Sequence, residues 1–168
     1  MQYGHILGAT DFSHLGDVAL HKAANLAMAT GARLTALTVL PEPASPSPLI
    51  SHYVVHTDAN QLRDAKKAAE RALRERIPAM VIESGIEIAY DVRVGDPASE
   101  ILAFDAQNNP DLIVLATHGR RGWGRWIMGS VSERVVQMAH ADVLTIREHG
   151  EVREHDEVRE ANERRETE

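Results

Sequence analysis

The chain has 168 residues, no cysteine and a formal net charge of −7. That length predicts one domain with a substantial core, and the missing thiols exclude disulfides, zinc thiolates, iron–sulfur clusters and cysteine nucleophiles. The charge is uneven: residues 148–168 hold nine acids and four arginines, whereas residues 1–147 hold sixteen acids against fourteen bases, so no broad basic face exists for general nucleic-acid binding.

No apolar run approaches the ~18 residues of a membrane span, and the amino terminus lacks a signal-peptide pattern. The expectation is a soluble cytoplasmic protein without membrane insertion. Tyr3–Ala9 reads as a first strand centred on Ile6 and Leu7. Thr10-Asp11-Phe12-Ser13 then leads into a helix over Leu15–Thr30, where Leu15, Val18, Ala19, Ala23, Leu26 and Ala27 recur at helical spacing. Ser13 suits its N-cap, Gly at position 16 rules out a capping box, and Gly31 suits its end.

Leu34–Leu40 is a second strand. Pro41–Pro48, with four prolines in eight residues, starts a long loop to Thr57, which reads equally as a lid, a partner contact or a plain surface excursion. Asp58 caps a long helix through Ile77; Pro78 ends or kinks it, leaving a short continuation to Ser84. Gly85 turns the chain into a third strand, Ile86–Val94. Asp96-Pro97 starts a helix to Gln107, and Asn108-Asn109-Pro110 breaks it.

Leu112–Ala116 is a continuous apolar run suited to a strand buried on both faces. A loop follows with Gly119, Gly122, Gly124 and Gly129, interleaved with Arg120, Arg121 and Arg125. It closes on Ser130-Val131-Ser132-Glu133, a capping box with Ser130 as N-cap, and a helix runs from Val131 to about His140. The last strand is Val143–Arg147. Residues 1–147 thus read as one domain and 148–168 as a charged tail, either a solvated helix or a mobile segment.

Strands and helices alternate, which predicts an α/β domain: an open parallel sheet of five strands, Rossmann-like, with helices on both faces. Ligands of such sheets sit at the carboxyl ends of the strands, where the strand order reverses. Asp11 stands at one such end and can meet ribose hydroxyls or a phosphate-bound Mg²⁺; its other reading is to order the turn before the first helix. The glycine loop gathers backbone N–H groups and cations beside a helix start, a place suited to phosphate. Trp123 and Trp126 pack that loop, cover a ligand or touch a partner. The P-loop pattern, HExxH and GxSxG are absent, the nine histidines show no ligand spacing, and no nucleophile–base pair stands out, so an enzyme is not expected. His118 is the one histidine beside the proposed site, read as a site residue or as a structural hydrogen bond.

Together these residues resemble the universal stress protein family over about residues 1–147. The family pattern Gly-x2-Gly-x9-Gly-Ser/Thr falls on Ala116, Gly119, Gly129 and Ser130, with Ala116 in place of the first glycine. Thr10-Asp11-Phe12-Ser13 and Gly95-Asp96-Pro97 are also in the family's style. The resemblance implies strand order 3-2-1-4-5 and binding of ATP or another adenine nucleotide with Mg²⁺. By position, Asp11 would contact ribose, the Val39 backbone would contact adenine, and Ala9 and Thr10 would line the base pocket. Ala116, Gly119, Gly129, Ser130 and Val131 would hold ribose and phosphates. It also implies a homodimer through Val143–Arg147 and a regulatory role in stress. The alternatives are a nucleotide-independent interaction module with an unknown protein partner, and a slow ATPase.

Overall fold

The computed structural model describes residues 3–42, 59–117 and 129–147. Asp58 and the proline-rich segment before it, His118, Gly119 and the remaining arginines, glycines and tryptophans up to residue 128, and the 148–168 tail lie outside the described residues.

The first strand, β1 (His5–Ala9), is buried along its whole length. Helix α1 (His14–Thr30) starts where Ser13 Oγ accepts from Gly16 N at 3.1 Å, and it stops at Gly31, whose φ of 70° is the left-handed geometry a glycine adopts without a Cβ penalty. Strand β2 is Arg33–Leu40. Helix α2 (Ala59–Arg76) ends ahead of Pro78, and a single short helix, α3 (Ala79–Glu83), follows it. Then come β3 (Ile88–Val94), α4 (Pro97–Asn108), β4 (Leu112–Ala116), α5 (Ser130–Met138) and β5 (Asp142–Ile146).

The described strands form one parallel sheet in the order β3-β2-β1-β4-β5, as expected. The chain winds outward from β1 through β2 to β3, then returns past β1 to lay down β4 and β5. The reversal therefore falls between β1 and β4. Alternation along each strand sorts side chains into two layers. Ile6, Leu34, Ala36, Leu112 and Val114 face α1, α2 and α3, where Leu20, Ala23, Leu73 and Val81 meet them. Leu7, Ala9, Leu37, Ile113 and Leu115 face α4 and α5, where Ile101, Phe104 and Val135 close the second layer. Each large aliphatic side chain buried this way contributes roughly 1.5–3 kcal/mol.

Four expected boundaries are corrected. The first strand starts at His5 instead of Tyr3, because its ladder with β2 begins at the His5–Arg33 pair. The third strand starts at Ile88 instead of Ile86, because its ladder with β2 begins at the Leu34–Ile88 pair. The N-cap of α5 is Gly129, not Ser130: Glu133 N donates to Gly129 O at 2.9 Å, so Ser130 is already the first helical residue and no side chain caps the helix. The capping box therefore does not form. Finally, α5 ends at Met138, short of His140, because the Asp105 carboxylate on α4, 1% exposed, accepts from His140 N at 2.7 Å and Ala141 N at 3.3 Å. Those bonds draw the chain out of the helix and into β5.

His5 is buried at the amino end of β1. The Arg33 guanidinium can only donate, and its Nη2 lies 3.0 Å from His5 Nδ1, so Nδ1 accepts and the ring proton sits on Nε2, which donates to Thr35 Oγ1 at 2.9 Å. Burial first, and the Arg33 cation second, hold the imidazole below its ordinary value of 6.5. An unfolded chain takes up this proton as pH falls through 6.5, while the folded chain resists it. The stability present above pH 6.5 is therefore lost as pH drops from there toward the folded value. His5→Gln is expected to flatten that part of the profile; urea midpoints recorded against pH for both proteins test this, and parallel curves would contradict it.

Candidate functional site

The ends of three neighbouring strands, β2, β1 and β4, converge at the carboxyl edge of the sheet. β1 stops at Ala9, and Thr10 makes a last ladder bond, its N–H donating to Leu37 O at 3.0 Å. On β2, Arg33 N reaches Gly4 O on the β1 side while Leu34 N reaches Glu87 O on the β3 side. Peptide groups alternate along a strand, so those of residues 33, 35, 37 and 39 all face β1. Val39 thus presents its N–H and C=O toward β1 beyond the last ladder bond, at the place where β1 has turned away.

Ala116 pairs with Ile146 inside β4 and has no left-handed backbone. A methyl at this position therefore meets no φ > 0 requirement, and the departure from glycine carries no backbone strain. Next in sequence, Thr117 accepts from Gly129 N at 2.7 Å and from Ser132 Oγ at 2.9 Å through its carbonyl. These bonds join the two ends of the glycine-and-arginine segment and seat the start of α5 beside the tip of β4. The first-turn amides of Ser130, Val131 and Ser132 have no acceptor within their own helix, and they carry the positive end of its dipole. Ser130 is exposed there, and with Gly129 in the capping position its hydroxyl is not committed to the cap.

Ala9, Val39 and Val131 all pack against the α4–α5 layer of the core, so residues from β1, β2 and α5 meet at one corner. Asp11 is exposed at the tip of β1. Its Oδ1 accepts from Ser13 N at 3.0 Å and from Ser13 Oγ at 2.6 Å, so it orders the turn into α1. Eight of the ten expected residues (Ala9, Thr10, Asp11, Val39, Ala116, Gly129, Ser130 and Val131) therefore lie along this carboxyl edge. His118 and Gly119 are outside the described residues.

Gly16 escaped the sequence reading as a site residue. A Cβ built there would meet Asp11 Oδ1 at 2.5 Å and Thr10 Oγ1 at 2.9 Å, so the 10–13 turn lies directly on the first turn of α1. The available signal was a poor helix former at the third helical position.

The sequence profile of the Universal stress protein family matches residues 2–147. A putative universal stress protein of Staphylococcus aureus (strain USA300) is 34% identical over 149 residues, covering 86% of this chain and 84% of that protein. One from Methanocaldococcus jannaschii is 37% identical over 83 residues, 49% of this chain and 48% of that protein, so this match spans about half of the relative's length. The solved universal stress protein UspA from Lactobacillus plantarum superposes with a TM-score of 0.72 at 31% identity, covering 88% of this chain and 99% of that one. Two more remote structures share the fold. One is a universal stress protein in complex with cAMP (TM-score 0.59, 22% identity, 87% of this chain and 98% of that one). The other is an Arabidopsis thaliana family protein with AMP bound (TM-score 0.54, 21% identity, 87% of this chain and 92% of that one). With the family profile running from residue 2 to residue 147 and a relative 34% identical over most of both chains, this chain belongs to the universal stress protein family.

Proposed function

We propose that this protein binds an adenine nucleotide, ATP with Mg²⁺, at the carboxyl edge of its sheet, and that it works as a regulatory homodimer in the stress response instead of turning over substrate. The observation that carries the reading is the meeting of three chemistries at one corner: an exposed carboxylate on Asp11, strand peptide groups of Val39 facing past the end of β1, and the first-turn amides of α5. They suit, respectively, ribose hydroxyls, the hydrogen-bonding edge of adenine, and phosphate oxygens. Thr10 and Ala9 line the base side, and Ala116, Gly129, Ser130 and Val131 take the ribose and phosphates; Gly119 and His118 join this set from the sequence alone. The fold neighbours that hold cAMP and AMP support an adenine ligand.

In this reading Mg²⁺ rides on the phosphates, and the Asp11 carboxylate is the side chain that would meet it. β5 is an edge strand with Leu144 exposed, and pairing it with a second copy would cover that edge. Among the described residues no helix is long and apolar enough to cross a membrane.

Calorimetry with ATP and Mg²⁺, with mass spectrometry of any small molecule released on denaturation, tests the reading. Saturable heat is expected for the wild type and a mass of two chains by light scattering. Asp11→Ala and Gly119→Val are each expected to weaken affinity about tenfold, the loss of one charge-assisted bond or one close backbone approach. No heat at millimolar ATP and no retained nucleotide would overturn it.

A further inference from the structure

The turn that carries Asp11 is held from behind by Asp17 and Arg76, two side chains outside the proposed set of ligand contacts. Phe12, at its centre, has a φ of 62°. That left-handed geometry is unfavourable for a bulky side chain and persists only where surrounding contacts impose it. Four contacts do so. Thr10 Oγ1 accepts from Phe12 N at 3.0 Å and donates to Asp17 Oδ1 at 3.1 Å. Arg76 Nε donates to the same Asp17 oxygen at 2.9 Å. The Arg76 guanidinium also lies over the Phe12 ring, 4.6 Å from its centroid.

Arg76 is itself fixed. Its Nη1 donates to Ala72 O at 3.0 Å, and its carbonyl accepts from His21 Nε2 at 2.8 Å. It is the last residue of α2, and Asp17 lies in the first turn of α1. One guanidinium therefore ties the end of α2 both to the carboxylate that steadies Thr10 and to the ring of the strained residue next to Asp11. The pair is half-buried, with 29% and 27% of the two side chains exposed. By contrast, Arg74, two residues earlier on α2, forms a more exposed pair with Glu70 and lies over the Tyr90 ring of β3, 4.2 Å from its centroid, with neither partner in the 10–13 turn.

We propose that Arg76 and Asp17 are positioning residues for the nucleotide site: they hold the 10–13 turn in its left-handed form and so set where the Asp11 carboxylate stands. The inference rests on the nucleotide reading for its consequence, but its physical content, the locking of the turn, is measurable without any ligand.

The experiment therefore has two arms, run on wild type, Arg76→Met, Arg76→Lys, Asp17→Asn, the double variant Asp17→Asn/Arg76→Met, and Arg74→Ala as a control. In the first, hydrogen exchange of the Phe12 amide is followed by NMR in nucleotide-free protein. Arg76→Met and Asp17→Asn are expected to speed it about tenfold, Arg76→Lys less, and Arg74→Ala not at all. In the second, titration with ATP and Mg²⁺ is expected to show about tenfold weaker affinity for Arg76→Met and partial recovery in Arg76→Lys. The double variant should be no worse than its weaker parent, because both changes break one network. Variants that match wild type in both arms overturn the inference, as does an equal effect of Arg74→Ala. A wild type that takes no nucleotide while the exchange response stands removes the nucleotide reading and leaves the lock in place.

Discussion

Gly16→Ala is expected to lower stability by about 1 kcal/mol and to weaken nucleotide binding about tenfold or more. Intrinsic propensity points the other way, since alanine in a helix gains roughly 0.5–1 kcal/mol over glycine. Local contact decides the sign. The new methyl would sit 2.5 Å from Asp11 Oδ1, 2.9 Å from Thr10 Oγ1 and 3.2 Å from Asp11 N. Asp11 Oδ1 is already bonded to the Ser13 amide and hydroxyl, and Thr10 Oγ1 to Phe12 N and Asp17, so neither can withdraw without breaking bonds. Overpacking of this kind costs about 1–3 kcal/mol, enough to outweigh the propensity gain. Urea melts and ATP titration of the variant check both halves. A Gly16→Ala protein that is more stable than wild type and binds nucleotide normally would show that the turn does not press on α1.

Asp105→Leu is expected to destabilise the fold by about 3 kcal/mol, which at ~2–4 °C per kcal/mol for a domain of this size lowers Tm by roughly 10 °C. The carboxylate is 1% exposed and satisfies two backbone amides, His140 and Ala141, as well as lying 3.2 Å from His140 Nδ1. Leucine keeps the forked shape with bulkier ends and leaves those amides without their acceptor. The loss should concentrate where α5 passes into β5. Amide exchange at residues 140–146 should accelerate before that of β1, and uniform acceleration across the sheet would argue against this placement. Asp105→Asn, which keeps one acceptor oxygen, should recover part of the loss.

Much of this architecture could be read from the residues. β4 matches its apolar run residue for residue, Leu112–Ala116, because a strand covered on both faces has no polar position to blur its ends. The start of α4 was equally plain: Asp96 accepts from Ser99 N, and Pro97 takes the first helical place, where its missing N–H costs nothing. The start of α5 was misread because serine outranks glycine as a cap on side-chain chemistry alone. What fixes the helix there is tertiary, the Gly129 and Ser132 bonds to the Thr117 carbonyl. The beginning of β3 was blurred because Ile86 packs on the core without joining the ladder.

The site divides along the same line. Residues at strand ends follow from topology, so Asp11 could be placed once its strand was taken as a neighbour of the fourth, whereas Val39 and Ala116 were placed by the family resemblance. The support behind them could not. Asp17 and Arg76 are separated by 59 positions, and no local periodicity pairs an acid in one helix with a base at the end of the next. Gly16 was noticed only for the glutamate it is not, and its tight approach to Asp11 depends on how the chain folds back over α1.

The place of β1 has a consequence for how the molecule is made. Its two flanks are filled at very different times during synthesis. β2 is the next strand to emerge, whereas β4 pairs Ile6 with Leu112, and the Asp111 carboxylate that clasps the amides of Gly4 and His5 arrives with it. A nascent chain halted before residue 111 carries a strand that is apolar after His5, with one row of unsatisfied peptide groups, the kind of surface that recruits chaperones or other unfinished chains. The corner built from Asp11 and the start of α5 is completed only after that late closure, so ribosome-bound fragments lacking β4 should gain no protection from ATP.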